Sequence, residues 1–174
     1  MIIQEKGKEK VTWRIARWAS EEDRKKGIVL SDEEARRLFG MEQFSKFEGN
    51  CLLNEGINNL FTIICSSGGV KWDNANARLG VGESATPADP ADTGLKGSTK
   101  TFKTMDGGYP TYGTAQKGTW KSTYGANDAN NAWNEFTVVN AADDSGQNLN
   151  RKVSAQGTKV SGQVWELTVE VSLA

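Results

Sequence analysis

Residues 163–173 read Gln-Val-Trp-Glu-Leu-Thr-Val-Glu-Val-Ser-Leu, and their alternation decides the fold class. Trp165, Leu167, Val169, Val171 and Leu173 fall on one side, with Glu166, Thr168, Glu170 and Ser172 between them. Successive side chains of a strand point to opposite faces, so this pattern describes a strand with one face on a core and one in water. Trp120, Ser122 and Tyr124 alternate with Lys121 and Thr123 in the same way. Further strands are expected at 77–81, 99–105, 118–124, 132–140 and 148–155, separated by Gly- and Asn-rich turns. Residues 83–98, rich in Pro, Ala, Asp and Gly, read as a loop. Short strands at this spacing predict a mainly β fold, an antiparallel β-sandwich or jelly-roll-like domain.

One helix interrupts the strand pattern. Leu53, Ile57, Leu60, Phe61 and Ile64 recur at helical spacing, which predicts a helix over residues 53–65 with that face on the core. Cys51 and Cys65 flank it. At 1.5 Å rise per residue they stand roughly 20 Å apart, far beyond the ~7 Å Cα limit of a disulfide, so both are read as reduced, small core residues.

Charge divides the chain. Residues 1–50 hold 11 basic and 10 acidic side chains of the 43 in the whole sequence. The expected organisation is therefore a charged N-terminal arm over residues 1–46, followed by the β-domain over 47–174. Within the arm, Val11, Trp13 and Ile15 alternate with Arg14 as in a strand, Trp18 falling on the side of Arg14. Ser20 and Ser31 then start two short helices, the second with a Ser31–Glu34 capping box, and Gly27 and Gly40 end them. Such short helices need a surface to lie on, the chain's own domain or a neighbouring subunit. The arm is expected to pair with, or lie across, a neighbouring subunit through Trp13, Arg14, Arg17 and Trp18.

Composition removes several function classes. With 21 basic and 22 acidic residues the net charge is -1, giving no overall attraction to nucleic acid or an anionic membrane. No apolar run approaches the ~20 residues that span a bilayer. Met1-Ile2-Ile3-Gln4-Glu5-Lys6 has no long apolar stretch behind it and does not read as a secretory signal. The sequence contains no His, which removes the commonest general base and metal ligand. Gly80-x-Gly82 lacks the third Gly of a dinucleotide fingerprint, and no Ca²⁺-loop series appears among Asp89, Asp92, Asp106, Asp143 and Asp144, which read as solvated loop residues. No cofactor and no metal is expected. Glu135, between Trp133 and Phe136, reads as a partly buried acid neutralised by Arg78 or Arg151, with an exposed position or a catalytic role as alternatives. Tyr109 and Tyr112 form either an exposed platform for a sugar or partner, with Trp120 beside them, or a turn that buries its own tyrosines.

Several segments occur in a familiar order: Asn50-Cys-Leu-Leu-Asn-Glu-Gly-Ile57, Asn74-Ala-Asn-Ala-Arg-Leu-Gly-Val-Gly82, Met105-Asp-Gly-Gly-Tyr-Pro110, Ala132-Trp-Asn-Glu-Phe136, Leu149-Asn-Arg-Lys-Val153 and, after Gly157-Thr-Lys, Trp165-Glu-Leu-Thr-Val169. Over residues 47–173 the chain resembles tailed-bacteriophage virion structural proteins. The resemblance implies a virion role without catalysis, in a particle assembled in the host bacterial cytoplasm. Expected partners are other virion proteins, capsid or tail subunits, together with further copies of the chain. Capsid decoration (cement) is the leading expectation; a tail, neck or fibre component and a carbohydrate- or receptor-binding module are the alternatives.

Overall fold

The computed structural model describes residues 9–173. Ten strands and three helices follow one another as β1 (Glu9–Trp18), α1 (Glu21–Lys26), α2 (Asp32–Phe39), β2 (Phe44–Glu48), β3 (Cys51–Leu52), α3 (Asn54–Cys65), β4 (Arg78–Gly82), β5 (Lys100–Thr104), β6 (Thr111–Thr114), β7 (Lys117–Tyr124), β8 (Glu135–Val139), β9 (Asn148–Val153) and β10 (Val164–Leu173). They build two five-stranded antiparallel sheets, ordered β2-β1-β10-β7-β6 and β3-β9-β8-β4-β5, packed as a β-sandwich. The reading of Met1–Lys6 lies outside the described residues.

The alternation in β10 holds from Trp165 to Val169 and fades at its end, where Val171 is half-buried and Leu173, expected inward, is 64% exposed. Trp165, Leu167 and Val169 are fully buried, while Glu166 and Glu170 face outward and meet Lys121, Arg24, Lys117 and Arg14. The inner faces of both sheets meet over an aromatic core. Trp133 lies 4.9 Å from Trp165 and 4.7 Å from Tyr124 between ring centroids, both pairs edge-on, and Trp13 is 5.8 Å from Phe136. Edge-to-face contacts of this kind add to the area term because the positive ring edge meets the negative face.

The N-terminal segment is not a separate arm. β1 lies inside the first sheet, paired from Glu9↔Leu173 to Trp18↔Val164 on one side and with β2 on the other. Val11, Trp13 and Ile15 are buried because they complete the same inner face as β10. The heavy charge of residues 1–50 suggested an arm; among the described residues much of it lies on α1, α2, β2 and the exposed positions of β1, while Arg17 of β1 is buried. The helices form where expected. Ser20 caps α1, the Ser31–Glu34 box caps α2, and Gly27 and Gly40 close them at φ 64° and 72°, where glycine alone adopts the left-handed turn without cost. α2 lies on this chain's own sandwich, burying Ala35 and Phe39, the latter edge-on to Trp165.

The packing of α3 corrects the expectation of an inward face built from Ile57, Leu60, Phe61 and Ile64. Gly56 and Asn59 are the buried helical positions, with Leu53 buried just before the helix. A Cβ at Gly56 would stand 2.6 Å from the Asn148 carbonyl oxygen and the Leu149 Cα, so glycine is what lets the helix sit on the β9 backbone. Glu55 fixes the rotation by accepting from the Asn148 amide at 2.6 Å, and Asn59 bonds Val70 at 2.8 Å. Leu60, Phe61 and Ile64 are turned outward, and Cys65, expected in the core, is exposed at the end of the helix.

Candidate functional site

Glu135 starts β8, and Arg151 lies on β9, next to Glu135 on the outer face of the second sheet. Both are fully buried. Arg151 donates to Glu135 Oε2 from Nε at 2.9 Å and from Nη2 at 2.7 Å. Its remaining donors reach Asp92 Oδ2 at 3.0 Å and the carbonyls of Thr86 and Pro87 at 3.0 and 3.2 Å. Glu135 also accepts from the amides of Lys96 (2.8 Å) and Gly97 (2.7 Å). Arg78, the other expected partner, does not take part: its guanidinium turns back to the carbonyls of Ala75 and Ala77.

This cluster fastens the loop over residues 83–98 across the sheet. Gly82 makes room for it, since a Cβ there would stand 2.5 Å from Glu135 Oε1; the Gly-x-Gly pair serves close packing of backbone and side chain. Asp92, expected in solvent, is buried beneath the loop. Burial alone would raise its pKa, but the Lys96 ammonium, the Asp89 amide and Arg151 outweigh that and hold the carboxyl below its ordinary range. With no exposed surface and both oxygens occupied, Glu135 is not placed to reach a substrate.

The four residues expected at a subunit contact divide between core and surface. Trp13 is fully buried and donates to the Gly49 carbonyl at 3.0 Å. Arg17 is fully buried as well, its guanidinium 4.6 Å from the Trp165 ring centroid and donating to Glu42 O, Ser45 Oγ and Gln156 O. Burial lowers its pKa to about 10, with the Glu42 charge pulling the other way. Trp18 is half-buried against Phe44, and Arg14 is exposed, 3.9 Å from Glu170. They do not converge on one surface. Sequence reasoning also missed Lys159, fully buried and donating to Gly125 O and Asn130 Oδ1 at 2.8 Å each. Burial lowers its pKa to about 8 against the pull of Asp128.

The two surface tyrosines do come together. Tyr109, Pro110 and Tyr112 line a cleft with Asp73, Asn74 and Ala75. Tyr112 is 79% exposed, on the edge strand β6, whose four residues are all in solvent.

The largest departure from the surface expected of the sandwich is α3. Phe61 and Ile64 are 59% and 67% exposed, with Leu60 beside them at 41%. Residues 56–70 contain no charged side chain, in a chain where one residue in four is charged. A contiguous apolar patch with no charge is the signature of a contact surface. A signal for it existed in the sequence. Glycine inside a helix costs about 1 kcal/mol, and its presence at 56 marks the side that approaches backbone closely; Phe61, five residues on, falls on the far side, while Leu60, one turn on, flanks the glycine's own face.

Among the described residues no three His, Cys, Asp or Glu side chains cluster to hold a metal, and no helix is long and apolar enough to cross a membrane. Comparison with protein-family models, with curated proteins and with solved structures gives no match.

Proposed function

We propose that this chain is a non-enzymatic structural protein of a tailed-phage virion, acting as a capsid decoration subunit that docks through the outward face of α3. The observation that carries the reading is the seated helix α3, free of charged side chains from Gly56 onward, presenting Leu60, Phe61 and Ile64 to solvent. The ordered phage-like segments supply the virion context. The partner that fits is an uncharged apolar groove on the shell protein, since a charged groove would be desolvated without compensation.

Patch size argues for a lattice of sites over a free dimer. The exposed apolar side chains offer a few hundred Å², against the ~800 Å² per partner of a standard stable interface. At ~25 cal/mol per Å² such a patch supplies roughly 5–10 kcal/mol, comparable with the cost of association itself. One contact of this kind is weak, and a shell that fixes many copies side by side makes it effective.

The test is co-sedimentation of the purified protein with stripped particles. The doubly substituted protein, Phe61→Asp with Ile64→Asp, keeps its melting temperature, because both positions are exposed, and loses sedimentation with capsids. Undiminished binding of that protein overturns the reading. Binding to isolated tails and not to capsids moves the chain to the tail.

A further inference from the structure

The cleft at Tyr109 and Tyr112 does not include the α3 residues; Tyr109 packs partly on the core, but Tyr112 has no such role. All four residues of β6 are exposed, so the strand contributes no side chain to the core, yet it holds an aromatic ring out in water. Space around it is open: a Cβ at Gly107, Gly108 or Gly113 would meet nothing within 4 Å. The polar side chains in the cleft are held in place by their own bonds. Asn74 Nδ2 donates to the Tyr109 carbonyl at 2.6 Å, which leaves its Oδ1 as an acceptor. Asp73 Oδ1 accepts from the Asn76 amide at 3.1 Å and from its side chain at 2.9 Å, leaving Oδ2 unengaged. Lys121 lies over the Tyr109 ring, its Nζ 6.0 Å from the centroid.

We propose that this cleft binds a neutral saccharide, with Tyr112 stacking on one sugar face and Asn74 and Asp73 accepting hydrogen bonds from its hydroxyls. A pyranose has an apolar face of C–H groups, and the negative face of an aromatic ring attracts their positive hydrogens. It also has a rim of hydroxyls that need acceptors at fixed positions, and Asn74 and Asp73 supply two. Pre-ordered acceptors lose little entropy on binding, which matters for a ligand this small. The unengaged Asp73 oxygen disfavours an anionic ligand.

The experiment is a titration of the ¹⁵N-labelled full chain with N-acetylglucosamine, glucose, galactose and rhamnose, each to about 20 mM, a range suited to affinities near 1 mM. The expected result is saturable amide shifts confined to residues 73–76 and 107–114 with at least one sugar. Tyr112→Ala should weaken that sugar about tenfold or more, and Asn74→Ala several-fold, each with the rest of the spectrum unchanged. Three results overturn the proposal: no shifts with any of the four sugars, shifts centred elsewhere, or full affinity in Tyr112→Ala. Choline chloride is the control for a cation-binding cleft, and tighter binding of choline than of every sugar also overturns it.

Discussion

Replacing Arg151 with methionine removes the guanidinium while keeping most of the stem that packs beneath the loop over residues 83–98. The fully buried Glu135 then loses its two bonds from Arg151, at 2.9 and 2.7 Å. The carbonyls of Thr86 and Pro87 lose a donor each. Removing one partner of a buried pair costs about 3–5 kcal/mol, because the remaining charge is left uncompensated. Two structural facts place this substitution at the lower end. Glu135 keeps short bonds from the amides of Lys96 and Gly97, and Asp92 keeps the Lys96 ammonium at 2.8 Å. The expected loss is about 3 kcal/mol, a large share of the ~5–15 kcal/mol that holds an ordinary domain together. In urea, with a slope of about 2 kcal/mol per M, the midpoint should fall by about 1.5 M at unchanged slope. Tryptophan fluorescence reports it directly, since Trp133 and Trp165 sit in the core. Hydrogen exchange adds a local reading: the amides of Lys96 and Gly97 should exchange faster than the β8–β10 core. A loss under about 1 kcal/mol, with those amides still protected, would falsify the view that this cluster fastens the loop.

Two further predictions follow from close packing and from a buried charge. Gly56→Ala gains about 1 kcal/mol of helix propensity but sets a methyl 2.6 Å from the β9 backbone. The clash should dominate, lowering stability by about 1–3 kcal/mol and the melting temperature in a thermal scan; a rise in that temperature would show that α3 is free to lift. Lys159 has a folded pKa of about 8 against an ordinary value of 10.5. Between those values the unfolded chain binds the extra proton, so stability should rise with pH from about 8 upward. Tyr124, pushed above 10 by burial, and Cys51, pushed above 9, act with the opposite sign, but only at higher pH. Melting temperatures measured from about pH 7.5 to about pH 9 should therefore climb in the wild type and stay flat in Lys159→Met; equal slopes would refute the assignment.

The fold was readable wherever local pattern and tertiary role agree. The alternation of β10 and β7, and the caps of α1 and α2, all lie within a few residues and appear in the structure with at most small shifts of boundary. β8 is shorter than expected, because residues 132–134 bond to Gly82 and Gly157 in place of joining the ladder. β2, β3 and β6 were not foreseen: one is an edge strand with Phe44 turned outward, one has two residues, and one buries nothing. β2 does bury one side, through Ser45 and Phe47, but the outward Phe44 breaks the apolar–polar period in its sequence. The arm boundary failed because charge density records solvent exposure of one face and says nothing about pairing on the other. α3 failed for a related reason. An apolar stripe marks a face that leaves water, and in a single sequence the chain's own core cannot be distinguished from another surface. For Glu135 the sequence offered Arg78 and Arg151 equally, and only the β8–β9 register chooses between them.

The pairing of β1 with β10, from Glu9↔Leu173 to Trp18↔Val164, has a consequence for the order of synthesis. β1 leaves the ribosome well before β10, the strand it pairs with. At about 5–20 residues per second, Trp13 emerges roughly 10–30 s before its partner Val169 exists. During that interval β2 is the neighbour within reach, and Phe47, stacked 6.2 Å from Trp13, is the first ring able to cover it. The capped helices between β1 and β2 shorten the path between them, so the region densest in charge also shields the nascent hydrophobic strand until the C-terminus closes the sheet.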